Sequence, residues 1–139
     1  MIKLKINKLL QILIAFTMLT GCHKNLFAQD SSLVVRIAKL QIDSAQLDSY
    51  KFFLKEEIEA SVSVEKGVLS LYAVSDKKNP THITVFEIYA NQEAYLAHIK
   101  TPHFLKYKTG TKDMVKALEL TDTKPIALKA KRKLTGINR

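Results

Sequence analysis

A chain of 139 residues, 47% of them hydrophobic, with 22 basic and 13 acidic side chains and a formal charge of +9, fits a single folded domain. One cysteine excludes an intramolecular disulfide and a two-thiol redox site, and four scattered glycines exclude a phosphate-cradling loop or a dinucleotide fingerprint. Residues 1–21 hold three lysines and no acid, so the remainder carries +6, much of it in the closing "LKAKRKLTGINR". These charges are not set on a helix with interleaved aromatics, which argues against nucleic acid; they suit solvent or an anionic lipid surface.

In chain order, Lys3, Lys5 and Lys8 precede the apolar run "LLQILIAFTML", a leader of signal-peptide length and too short to favour a permanent span. It runs into "LTGC", which resembles the lipobox of bacterial lipoproteins. That implies cleavage after residue 21, lipidation of Cys22 and an exported protein lipid-anchored to the cell envelope. The competing reading is an ordinary secretory signal cut after Ala28 in "NLFAQ". Residues 22–32 read as a polar, flexible tether, 33–131 as the folded domain and 132–139 as a basic tail.

"LVVRIAKLQI" (Leu33 to Ile42), β-branched and aliphatic, predicts a first strand. The period then changes: Leu47, Tyr50, Leu54, Ile58 and Val62 share one helical face, with Asp43 or Ser44 as N-cap and Gly67 ending the segment in a positive-φ conformation. "VLSLYAVS" and "THITVFEIYA", joined by "DKKNP", predict an antiparallel hairpin. Asn91 caps a helix over Gln92 to Lys100, Pro102 interrupts it, and "HFLKYKTGTKDMVKAL" continues as helix. "TKPIALKAK" (Thr123 to Lys131) is the expected last strand. The order is βαββαβ, an α+β ferredoxin-like sheet with helices on one face.

Such a sheet should alternate apolar and polar residues. Instead Ile83, Val85 and Tyr89 share one face of the third strand while Phe86 and Ile88 share the other; the second sets Val68, Ser70, Tyr72 and Val74 against Leu69, Leu71 and Ala73. Two apolar faces predict a homodimer that covers the open one.

"FEIYANQEAYLAHIKTPHF" (Phe86 to Phe104) combines an acid, aromatic rings and two histidines across a strand end, a cap and a helix. Together with "EKGVLSLYAV", it resembles the antibiotic-biosynthesis-monooxygenase-like domains, a family of dimeric α+β barrels that includes quinol monooxygenases. The resemblance spans roughly Leu33 to Lys131 and falls on Glu87, Tyr89, Tyr95, His98, His103 and Phe104. Many members have tryptophan where this chain has Tyr89. The chain has no tryptophan, which leaves the substrate class open and weighs against the haem-degrading branch.

What the resemblance implies is a cofactor-independent monooxygenase acting on a small quinol or phenol and oxygen. Glu87, His98 and His103 are the implied catalytic groups, and Tyr72, Tyr89, Tyr95 and Phe104 the substrate-binding set. From the residues themselves, Glu87 shares a strand face with Val85 and Tyr89, so desolvation should raise its pKa toward the range of a general base. The structural alternative is a carboxylate satisfied by Lys100, a nearby tyrosine or helix amides. His98 falls at the border of a surface formed by Tyr95, Leu96 and Ile99, where a hydrogen-bonded core histidine is the common case. His103 follows Pro102 at a helix start, where free amides disfavour a second proton on the ring. The two histidines are spaced H-x4-H across a proline, which does not align two imidazoles, so no metal site is expected. Two other readings compete: an isomerase of small phosphorylated diketones, for which Arg36 is the only arginine before the tail, and a non-enzymatic lipid-anchored ligand-binding module.

Overall fold

The computed structural model describes residues 33–130; the leader 1–21, Cys22, the tether 22–32 and the tail 132–139 lie outside the described residues. Strand β1 (Val34–Ile42) leads through a one-turn 3-10 helix (Ser44–Gln46) into α1 (Leu47–Val64), then β2 (Val68–Ser75) and β3 (His82–Tyr89). Helices α2 (Gln92–His98) and α3 (Pro102–Thr111) follow, and β4 (Val115–Thr123) completes the sheet. All pairings are antiparallel, in the order β2-β3-β1-β4. This is the ferredoxin-like α+β arrangement expected from the pattern. Among the described residues, no helix is long and apolar enough to cross a membrane.

Two expectations about the last third of the chain are corrected. Helix α3 stops at Thr111, and the final strand is Val115–Thr123 rather than Thr123 to Lys131. As an edge strand, β4 leaves Leu118 and Leu120 53% and 51% exposed. Its side chains therefore lack the one-sided burial that marks a strand in sequence. Opposite charges face one another in its register with β1: Lys39 is across from Glu119 and Arg36 from Asp122. Beyond Thr123, Pro125 has no N–H for a ladder and Ile126 is 97% exposed.

Between helices and sheet lies a core of Ala38, Leu40, Ile42, Tyr50, Leu54, Ile83, Val85 and Met114. The buried stripe of α1 is Tyr50, Leu54, Glu57 and Ser61, so the helix is turned from the expected face and Val62 is left 47% exposed. The hydroxyls of Tyr50 and Tyr107 lie 2.7 Å apart, tying α1 to α3 through a partly buried polar contact. In β2 the register shifts between Val68 and Ser70, which turns Val68 inward with Leu71 and leaves Leu69 half exposed.

Asp43 and Asn91 act as caps, accepting from the amides of Ala45 and Ala94. Gly67 corrects its expected reason: no residue described has positive φ. Its carbonyl instead accepts from Ala90, and a Cβ at this position would lie 2.5 Å from the Cβ of Ala94. Glycine is therefore required by the close approach of α2, which seats the histidine-bearing corner against the end of α1. The other sheet face exposes Tyr72 and Val74, with Ile37, Phe86 and Ile88 half-buried beside them.

Candidate functional site

The corner between α2 and α3 brings the two histidines together. The Thr101 hydroxyl donates to the carbonyl of His98 and accepts from the amide of Phe104, and Pro102 occupies the first turn of α3, where an N–H would have no helical partner. Both imidazoles consequently point back at Glu65, the residue that ends α1. Glu65 Oε1 lies 3.0 Å from His98 Nδ1 and 2.5 Å from His103 Nε2. An ionised carboxylate only accepts, so both of these nitrogens donate.

His98 is not at a border: it is 2% exposed, with its ring packed on Tyr89 and Phe104, while Leu96 is 42% exposed. Its Nε2 faces Glu57 Oε1 at 3.6 Å, an ion-pair distance beyond hydrogen-bond reach. Glu57 is itself 5% exposed and accepts from the Ser61 hydroxyl at 2.7 Å. On β3, Glu87 Oε2 accepts from Tyr89 at 3.0 Å, so of the alternatives for that carboxylate it is the tyrosine that satisfies it. Arg36 sits directly opposite Glu87 in the β1–β3 register.

The three carboxyl groups are driven in different directions. Burial raises the pKa of Glu57, opposed by its bond to Ser61 and by His98, and Glu87 raises it further. Burial likewise raises Glu87, against the pull of Tyr89, Arg36 and His98. Burial acts the same way on Glu65, but hydrogen bonds from His103 and His98 outweigh it and hold this pKa below the ordinary carboxylate value. The Tyr89 phenol is raised by burial and by Glu87 and stays protonated as a donor.

Tyr95 and Phe104 complete the aromatic surround. Tyr95 meets Tyr89 edge to face, and the Arg36 guanidinium lies 4.6 Å above the Tyr95 ring. This stacked pair forms part of the wall of an open cleft of about 360 Å³, together with Leu33, Val34, Val35, Gln92, Asp122 and Thr123. Glu87 is not in the lining; it is the cross-strand partner of Arg36, which is.

Of the residues expected to form the site, Glu87, Tyr89, Tyr95, His98, His103 and Phe104 converge in this region. Tyr72 does not join them: it pairs with Phe86 on the opposite sheet face and is 47% exposed. Sequence reasoning missed Glu57, and missed the function of Glu65. Glu57 carried a signal, since it falls at the helical spacing of Tyr50, Leu54 and Ser61 and so puts an acid in a buried stripe. Glu65 carried none, because its histidines lie 33 and 38 residues away.

Glu65 is also the third ligand type that the local histidine spacing lacked. The donor atoms of Glu65, His98 and His103 lie within 4.8 Å of one another and could hold a metal ion. As they stand, the three groups satisfy one another by hydrogen bonds.

Residues 33–110 match the family described as antibiotic biosynthesis monooxygenase. Among solved structures, the chain is 52% identical to an assigned antibiotic biosynthesis monooxygenase of Bacteroides thetaiotaomicron, over 72% of this chain and 97% of that one, with a TM-score of 0.71. It is 30% identical to an assigned monooxygenase of Lactobacillus acidophilus, over 67% of this chain and 44% of that one, with a TM-score of 0.65. A Mycobacterium tuberculosis protein at 20% identity shares the fold, with a TM-score of 0.64 over 71% of this chain and 100% of that one. No curated protein matches the chain.

The lowered pKa of Glu65 fixes a sign. Its ionised form stabilises the fold fully above the unfolded carboxylate pKa, and that contribution is lost as pH falls through the lower folded value. Glu65→Gln is expected to lower stability at neutral pH by about 1–3 kcal/mol. The gap from wild type should close on acidification, as read by thermal unfolding across the carboxylate range. A gap independent of pH would show that Glu65 is not the ionised acceptor of both imidazoles.

Proposed function

Because the chain belongs to the antibiotic biosynthesis monooxygenase family, whose general function is monooxygenase-like, we propose that it oxygenates a small phenol or quinol with molecular oxygen as the direct oxidant and Glu87 as the general base. The observation that carries this reading is Glu87 itself. It is a carboxylate pushed up by burial, held by the Tyr89 hydroxyl at 3.0 Å and directly opposite Arg36, a residue of the cleft wall, in the strand register. A raised carboxylate is a stronger base than an exposed one and better matched to a phenolic proton. His98 is less suited to the task, since one ring nitrogen bonds Glu65 and the other faces Glu57.

In this scheme a ring enters the cleft and parts the Arg36–Tyr95 stack, and ionised Glu87 removes the hydroxyl proton. The resulting phenolate passes one electron to oxygen, and the two radicals join in a carbon–oxygen bond. The proton on that carbon leaves, the O–O bond breaks, and water departs. The ring loses two hydrogens and gains one oxygen, while the second oxygen atom leaves in the water. Tyr89 steadies Glu87, Tyr95 supplies an apolar wall that excludes bulk water, and Phe104 packs on His98. His98, Glu57, Glu65 and His103 hold that wall in place; His103 Nε2 is committed to Glu65.

The same reading includes a homodimer. The open sheet face presents Ile37, Tyr72, Val74, Phe86 and Ile88 together, an apolar surface suited to a second copy of the chain. Sedimentation velocity should give a dimer for the wild type and a monomer for Val74→Lys. A monomeric wild type would remove this part of the proposal.

For the chemistry, oxygen uptake with hydroquinone as substrate is expected to fall by about 10²–10⁴ in kcat in Glu87→Gln. The wild-type rate should rise with pH through a pKa above the ordinary carboxylate value, because the ionised form is the active one. Protein-dependent uptake that is unchanged in Glu87→Gln would take the role of base away from this residue.

A further inference from the structure

The cleft beside Glu87 has a feature that a neutral quinol leaves unused. Arg36 is the only arginine among the described residues, and its side chain is 13% exposed. One face of the guanidinium lies on Tyr95, and its Nε comes within 2.8 Å of Asp122 Oδ1. That approach is off the N–H direction: Nε is buried and has no hydrogen-bond partner. Asp122 is 83% exposed on the edge strand β4, so it is a solvated and weak counter-charge. The fold thus holds a permanent cation, with a fixed fork of donors, in the wall of a cleft whose other sides include Leu33, Val34 and Val35.

We propose that this cleft binds a small aromatic carboxylate, with the acid group on the Arg36 guanidinium and the ring against Tyr95 and the aliphatic wall. The inference rests on the reading of Glu87 as base and narrows its substrate to a hydroxylated aromatic acid. Size supports one ring rather than a fused polycycle, since about 360 Å³ is near the lower limit for ligand pockets. Chemistry supports a carboxylate: a planar group with two oxygens matches the guanidinium fork, and its charge-assisted bonds replace the weaker contacts to Asp122 and the Tyr95 face. Position supports a substrate. Arg36 and Glu87 are direct cross-strand partners on one face of the sheet, so an anion drawn to Arg36 is brought to the strand position opposite Glu87. Turning the guanidinium toward the ligand also uncovers the face of Tyr95.

The test is calorimetric titration of the purified full chain with gentisate, a dihydroxybenzoate, and with its uncharged methyl ester, without oxygen. The acid should bind on the order of tenfold tighter or more than the ester. Arg36→Gln should abolish that preference, and Glu87→Gln should keep it. Equal affinity for acid and ester, no binding of the acid, or a preference that survives in Arg36→Gln would overturn the proposal. The comparison of acid with ester in wild type decides the matter even if Arg36→Gln fails to fold. Oxygen uptake with gentisate is then read separately. Arg36-dependent binding with no uptake would leave this site standing and overturn the monooxygenation proposed for Glu87, while uptake of hydroquinone without any preference for the acid would do the reverse.

Discussion

Glu65 Oε1 receives hydrogen bonds from two imidazoles, one at the end of α2 and one in the first turn of α3, while its own backbone ends α1. Three helices are thereby joined at one oxygen atom. The joint also sets the electrostatics of the interior. With its two donors Glu65 keeps a low pKa, and His98 is fixed with its second nitrogen toward Glu57. Without that anchor His98 would be a buried imidazole with a single distant partner, and the ring surfaces it offers to Tyr89 and Phe104 would lose their support. The close seat of Gly67 against Ala94 and the Thr101 cap are what allow the joint to close.

On that frame, three carboxylates within one small domain acquire different characters. Glu65 has two imidazole donors and is held ionised. Glu57 and Glu87 have one hydroxyl donor each, Ser61 and Tyr89, and a single hydroxyl does not offset the desolvation of a buried charge. Their raised values cost stability at neutral pH, a common compromise where an acid is kept for chemistry. Glu57 lies on α1 facing His98, whereas Glu87 lies directly across the strands from Arg36 in the wall of the cleft. Location rather than basicity separates the two.

Most of the fold could be read from local signals: the β-branched and aliphatic run of β1, the β2–β3 hairpin around "DKKNP", and the caps at Asp43 and Asn91. The failures have physical causes. Strand β4 lies at an edge and is exposed on both faces, so the spacing of Met114, Ala117 and Leu118 imitates a helix. The face of α1 was misplaced because its buried stripe includes Glu57 and Ser61, which hydrophobic periodicity does not count. At the site, residues between Glu87 and Phe104 were legible because strand, cap and corner are contiguous. Glu65 and Arg36 come to the same place from elsewhere in the chain, and only the packing of α1 and the β1–β3 register reveals them.

The proposed chemistry depends on Glu87 being a partly buried carboxyl with a pKa above that of a free glutamate, roughly 4.3. Infrared difference spectroscopy of wild type against Glu87→Gln, recorded through a pH titration, isolates the carboxyl stretch of this one residue. A protonated carboxyl band is expected to persist above the ordinary carboxylate range and to vanish as pH rises further. A band that is lost at or below the value of an exposed glutamate would contradict it, since Glu87 would then be a solvated acid with no special basicity.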